Sequence, residues 1–183
     1  MESVSGKYKI INGHVITENT IISNGTLLIE DGKILGVEKN HIESTDFTEI
    51  DAKGNYISPG FIDIHVHGGG GFDFMDETEE AFLKTACLHA KFGTTSLLAT
   101  TLTSDKEGIL RTLDVYNSVH HKKNQGAKFL GTHLEGPYFS LNQRGAQDPQ
   151  YIRDPDPKEY MEILERSPYI KRWSIAPEKK RCH

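Results

Sequence analysis

His65 and His67 stand two residues apart at the end of Phe61-Ile62-Asp63-Ile64-His65-Val66-His67, an apolar and β-branched run. Pro59-Gly60 precede the run and Gly68-Gly69-Gly70-Gly71 follow it, the pattern of a short buried strand. Side chains alternate along a strand, so the two imidazoles point the same way, roughly 6.6 Å apart along the axis. Rings so placed can converge on one cation at about 2.1 Å from each nitrogen. An H-x-H in an arbitrary setting is more readily a pair of half-buried surface histidines. The strand before it and the glycine loop after it turn the reading toward a metal site.

A second segment, Gly131-Thr132-His133-Leu134-Glu135-Gly136-Pro137, closes another strand. Strand parity puts His133 and Glu135 on one face, at the carboxyl end where parallel α/β folds place their chemistry. A buried glutamate is costly unless something positive meets it. Arg144 is one possible partner, and the ion of His65 and His67 is the other; the H-x-H favours the ion. Four successive glycines could cradle a phosphate, but residues 72–76 separate them from the next helix, so the strand–loop–helix geometry is missing. They read instead as room for backbone to approach a metal or substrate. Asp63 shares the parity of His65 and reads as a hydrogen-bonding partner inside a barrel. His89, His120 and His121 fall on helices without a partner at ligand spacing and read as structural or solvated. His14 and His41 read as solvent-facing.

The elements that must position these groups follow two patterns. Residues 1–57 form a small β-domain: Lys7 to Ile11, a hairpin signal at Asn12-Gly13, His14 to Ile16, Gly25 to Glu30, a second hairpin signal at Asp31-Gly32, then Lys33 to Val37. Over 58–183 strands alternate with helices. Asp76-x-x-Glu79 reads as a capping box before an apolar stripe of Phe82, Leu83, Ala86, Cys87 and Ala90, and Gly93 ends that helix. Thr94 to Thr100 is a strand, and Ser104-x-x-Glu107 opens a helix carrying Ile109, Leu110, Leu113 and Tyr116 on one face. Phe129 to Glu135 is the third strand. Asp156-Pro157-x-Glu159 opens a helix to about Arg166, and Arg172 to Ala176 is the fourth strand. Such alternation implies βαβ units and a parallel sheet.

Composition narrows the class. With 183 residues, 36% hydrophobic and 26% charged, the chain is globular. The net charge is −5 and the basic residues are dispersed, Lys122-Lys123 and Lys179-Lys180-Arg181 being short runs, so no nucleic-acid partner is expected. No apolar run approaches about 18 residues, and no membrane span or signal peptide is expected. Cys87 and Cys182 form no C-x-x-C, and Cys87 reads as a small core residue on a helix face. A reducing, cytoplasmic setting fits.

The segments "PGFIDIHVHGGGG", "FLGTHLEGPYFS", "RGAQDP" and "WSIAPE" together resemble the amidohydrolase superfamily and, within it, the N-acetylglucosamine-6-phosphate deacetylase family. The H-x-H marks only the superfamily; H-L-E-G-P followed by G-A-x-x-P is more specific. The resemblance implies an α/β fold, the N-terminal half of a TIM-like (β/α)8 metal-dependent hydrolase barrel preceded by a small β-sandwich domain. It implies a divalent metal cofactor (zinc, iron or manganese, one or two ions), with Glu135 as carboxylate ligand and His65 and His67 as the pair some members use for a second metal. Ala146 and Gln147 match positions that touch the sugar, although many relatives carry histidine where Gln147 stands. The implied reaction hydrolyses the acetamide of N-acetylglucosamine 6-phosphate, and the complete enzymes imply a homodimer.

The resemblance covers the chain to about Glu178, whereas the family is similar to a barrel of roughly 250 residues with its β-domain. About four barrel strands are accounted for. The catalytic aspartate and two later histidine ligands are expected beyond the end of the chain; His183 does not match them, and Glu178 is the nearest carboxylate within it. The expectation is a truncated form whose open half-barrel exposes two sheet edges. Other amidohydrolases, dihydroorotase-like or aminoacylase-like, share the H-x-H but recruit a bridging lysine, which Glu135 speaks against. A non-catalytic metal-binding fragment is the other alternative.

Overall fold

The computed structural model describes residues 6–40 and 42–178; His41, Cys182, His183 and the run Lys179-Lys180-Arg181 lie outside the described residues. The chain divides into two compact units, Met1–Pro59 and Gly60–His183.

In the first unit, β1 (Lys7–Ile16), β2 (Ile21–Glu30), β3 (Lys33–Glu38), β4 (Thr48–Asp51) and β5 (Tyr56–Ile57) build one mixed sheet. β1 pairs antiparallel with β2 (Ile10 opposite Leu27) and parallel with β4 (Ile10 opposite Ile50) and β5. Asp31 and Gly32, both at positive φ, turn β2 into β3 as their hairpin signal implies. Asn12-Gly13 does not make a hairpin. Asn12 takes φ 55 inside a continuous β1, and the register with β2 shifts there, so the pair forms a bulge. The described residues of this unit make one five-stranded sheet, which does not by itself establish the sandwich expected of it.

In the second unit, β6 (Phe61–Val66) is followed by a two-stranded turn of β7 (Gly68–Gly69) and β8 (Phe72–Asp73). Then come α1 (Glu79–Lys91), β9 (Thr94–Thr100), α2 (Lys106–Val119), β10 (Lys128–Glu135), α3 (Pro157–Arg166) and β11 (Ile170–Ser174). The four long strands form a parallel sheet in the order β11-β10-β9-β6. On the helix side Val66, Leu97, Ala99 and Phe129 meet Phe74, Phe82, Ala86 and Tyr116, and Leu134 meets Ile109, Leu113 and Ile163. The rings of Phe74, Phe82, Tyr116 and Phe129 interlock at centroid distances of 4.8 to 6.4 Å. Each such side chain withdrawn from water contributes about 1.5–3 kcal/mol.

The helix starts differ from the sequence reading by small shifts. Thr78, extended at φ −126, caps α1 by accepting from the Ala81 amide at 3.2 Å. The Asp76 carboxylate is already engaged in the preceding 3-10 turn, where it accepts from the Asp73 amide. Asp105 rather than Ser104 caps α2, accepting from Gly108 at 2.6 Å. Asp156 caps α3 with Pro157 at the first helical position, as the sequence implies.

One correction bears on the site. Strand β6 was expected to be buried, yet Phe61, Ile62 and Ile64 are 67%, 64% and 52% exposed. The apolar run reports the strand; its burial depends on a neighbour. Among the described residues β6 pairs only with β9 and forms one edge of the sheet, as β11 forms the other.

Candidate metal centre

Because Val66, Leu97, Ala99 and Leu134 face the helices, the residues between them face the opposite side of the sheet. His65 and His67 from the end of β6, Thr100 from β9, His133 and Glu135 from β10 and Ser174 from β11 therefore share one surface. At its carboxyl end His65 Nε2 lies 3.2 Å from His67 Nε2 and 3.3 Å from Glu135 Oε2, and His67 Nε2 lies 3.1 Å from that same oxygen. Among the described residues this is the one group of three that could hold an ion.

The triangle has the dimensions of a coordination face. Donors about 2.1 Å from a tetrahedral ion stand roughly 3.3–3.4 Å from one another. The tautomer of His67 also suits. Its Nδ1 lies 3.3 Å from the Thr100 carbonyl oxygen, which can only accept, so the Nδ1–H donates and Nε2 presents its lone pair to the cluster. A carboxylate oxygen and a bare imidazole nitrogen at 3.1 Å repel unless a proton or a cation lies among them. The donor set of two nitrogens and one oxygen fits zinc, iron or manganese.

Gly136, at φ 79, lets the backbone turn immediately after Glu135; a Cβ there would sit 2.1 Å from Thr103 Oγ1, so no larger residue fits without a shift. The Thr103 hydroxyl in turn donates to the Glu135 carbonyl at 3.5 Å, and the Glu135 amide donates to Thr101 Oγ1 at 3.2 Å. Glu135 is thus fixed on its backbone side by the loop after β9, and its carboxylate faces the two imidazoles.

His133 shares the face of Glu135 and is not one of the three groups of the triangle. It is fully buried, its Nε2 lies 2.8 Å from Ser174 Oγ and its Nδ1 3.5 Å from Thr100 Oγ1, and its ring also reaches the Ile64 backbone. The His65 ring stands edge-on to it at 4.8 Å and 87°. Burial, then Arg172 and His65, push its pKa down to about 4, so this imidazole is neutral at neutral pH. The signal was present: H-x-E on β10 repeats the parity of H-x-H on β6.

The remaining candidates separate. Arg144 donates to the Leu141 carbonyl at 3.0 Å, and the partners of Glu135 are the histidines instead. Asp63 accepts from the His65 amide at 2.9 Å, a local turn contact along its own strand and not one across a barrel. Gly68 and Gly69 pack against Phe72, Leu88 and His89, which accounts for their small size within the turn itself. His89 Nε2 bonds the Gly68 carbonyl. His120 and His121 pack on Tyr169 at the far end of α2. His14 is half-buried, stacked obliquely on Tyr56, and Cys87 is half-buried on α1. Gln147 accepts from the Thr103 amide through Oε1 at 2.9 Å, tying its loop to the loop after β9. Ala146 and Glu178 are exposed.

Comparison with known proteins gives no match to any family model. The curated relatives are consistent with one another. The chain is 36% identical to an N-acetylglucosamine-6-phosphate deacetylase of Bacillus subtilis over 90% of its own length and 43% of that protein's. It is 34% identical to an N-acetylgalactosamine-6-phosphate deacetylase of Escherichia coli (91% and 43%). Among solved structures, it superposes on the N-acetylglucosamine-6-phosphate deacetylase of Pasteurella multocida with a TM-score of 0.82 at 27% identity, covering 94% of this chain and 45% of that one. The Mycobacterium smegmatis enzyme gives 0.80 at 29%, covering 94% and 48%. The chain thus spans under half the length of the proteins it matches. Over the span it covers, it is similar in sequence and in fold to N-acetylglucosamine-6-phosphate deacetylases.

Proposed function

We propose that these residues form part of a metal-dependent deacetylase that hydrolyses the acetamide of an N-acetylhexosamine 6-phosphate, N-acetylglucosamine 6-phosphate first among them, to the amino sugar phosphate and acetate. The observation that carries the reading is the triangle of His65 Nε2, His67 Nε2 and Glu135 Oε2, with sides of 3.1 to 3.3 Å. Its three groups would hold the divalent cation. Such an ion, when bound, polarises an amide carbonyl and makes a water molecule acidic enough to act as nucleophile near neutral pH.

The chain's own residues do the rest of the binding work assigned to it. Glu135 supplies the one negative charge of the triangle, and His67 is kept in its ligating tautomer by the Thr100 carbonyl. Ala146 and Gln147 are proposed to touch the sugar. With Oε1 of Gln147 taken by Thr103, its amide N–H groups are what it has left to offer a ligand. Among the described residues Glu135 is the only carboxylate in the cluster, and it is engaged as a ligand. The carboxylate that passes a proton to the leaving amine is therefore proposed to come from the part of the longer relatives that this chain does not span, as are the remaining strands of a closed barrel.

The test is acetate release from N-acetylglucosamine 6-phosphate and N-acetylgalactosamine 6-phosphate by the natural protein carrying this sequence, with zinc, iron or manganese supplied. Release from at least one sugar, abolished by Glu135→Gln, is the expected result. No release from either, or release indifferent to that substitution, contradicts the proposal. The 183-residue chain alone is expected to bind metal without turnover.

A further inference from the structure

We propose that His133 is the positioning residue of the metal centre: its buried ring holds the His65 imidazole in the ligating orientation. The inference rests on the metal reading of the triangle and adds a residue to it. A ligating histidine ordinarily has its second ring nitrogen held by a carbonyl or carboxylate. His67 has this in Thr100, whereas His65 Nδ1 meets no protein partner among the described residues. His65 also comes from the exposed edge strand, and its side chain is 41% exposed. Something other than a hydrogen bond must fix its ring.

Against that ring stands the buried imidazole of His133, edge-on at 4.8 Å and 87°. His133 is itself held from both neighbouring strands, by Ser174 Oγ on β11 at 2.8 Å and Thr100 Oγ1 on β9 at 3.5 Å. It sits on β10 two residues before Glu135, so one ring ties the interior strand that carries the carboxylate to the edge strand that carries the imidazoles. Sheet stability alone would be served by an apolar residue at this position. An imidazole bonded on both nitrogens adds a set orientation, which is what His65 lacks.

Cobalt(II) titrated into the 183-residue chain tests this, with d–d absorption reporting ligand geometry and circular dichroism reporting the fold. His133→Gln keeps an amide for Ser174 but removes the ring, and Ser174→Ala keeps the ring but frees it. Both folded variants are expected to bind cobalt about tenfold more weakly, with a changed visible spectrum and the larger change in His133→Gln. If His133→Gln does not fold, Ser174→Ala carries the same test. Folded variants with the affinity and spectrum of the unsubstituted chain would overturn the assignment and leave the triangle standing. An unsubstituted chain that binds no cobalt would instead remove the metal centre and the inference together.

Discussion

Strands β10 and β6 bring the three groups of the candidate site to the same point from opposite circumstances. β10 lies between β9 and β11, and only Lys128 among its eight residues is exposed. β6 lies at the edge, and four of its six residues are exposed. The carboxylate therefore stands on a strand whose hydrogen-bonding edges and helix-facing side chains are all occupied, while the imidazoles stand on a strand held from one side. Strands that lack buried apolar contacts and paired edges open at lower cost. A site assembled this way takes its stiffness from β10, and the histidines need contacts across the sheet, Thr100 to His67 and His133 to His65, to meet the carboxylate in register.

Substitutions can break this contrast at several strengths. The largest effect is expected on the interior strand: Leu134, 1% exposed against Ile109, Leu113 and Ile163, should cost about 2–5 kcal/mol on replacement by alanine. Urea denaturation of the 183-residue chain measures it. Next is Gly131→Ala, where the added Cβ would lie 2.5 Å from the Tyr169 carbonyl oxygen, backbone that cannot swing aside. About 1–3 kcal/mol is expected, together with faster amide exchange at Thr132, which donates to that oxygen.

A smaller effect is expected with pH. His120 stacks on Tyr169 at 3.9 Å beside the start of β11, and burial, then His121, Lys128 and Lys171, lower its pKa. The unfolded chain takes up this proton first, at about pH 6.5. The contribution is therefore whole above that pH and lost as pH falls through the lowered folded value. The thermal midpoint should decline below about pH 6.5, and His120→Gln should remove part of the decline; an unchanged slope would contradict this role.

The smallest effect is expected at the edge. Ile62→Ala should change stability by no more than about 0.5 kcal/mol, since the side chain is 64% exposed. A loss as large as that of Leu134→Ala would mean that β6 is covered in solution, and the contrast between the two strands would fail.

What was legible in the sequence follows the same division. The period of two belongs to any extended backbone, so the shared face of His65 with His67, and of His133 with Glu135, could be read without any knowledge of neighbours. The parallel sense of β6, β9, β10 and β11 follows from the alternation of strands with helices, and the cap of α3 from local residue types. Burial was not legible at β6, because an apolar run says nothing of whether another strand lies beside it. Asn12-Gly13 misled for a related reason: positive φ serves a bulge as well as a hairpin, and pairing with β2, β4 and β5 decided between them. Strands β4 and β5, short and without alternation, carried no signal of their own. The partners of His133 come from residues 33 and 41 positions away, and Gln147 meets Thr103 across 44, so those contacts appear only when the sheet is assembled.

The central claim, that His65, His67 and Glu135 hold one divalent cation, is tested most directly by X-ray absorption at the zinc edge of the zinc-loaded 183-residue chain. The account predicts an ion surrounded at about 2.0–2.1 Å by nitrogen and oxygen, with outer scattering from two imidazoles, and its loss on Glu135→Gln. A zinc site without imidazole scattering, or one unchanged by that substitution, would contradict it.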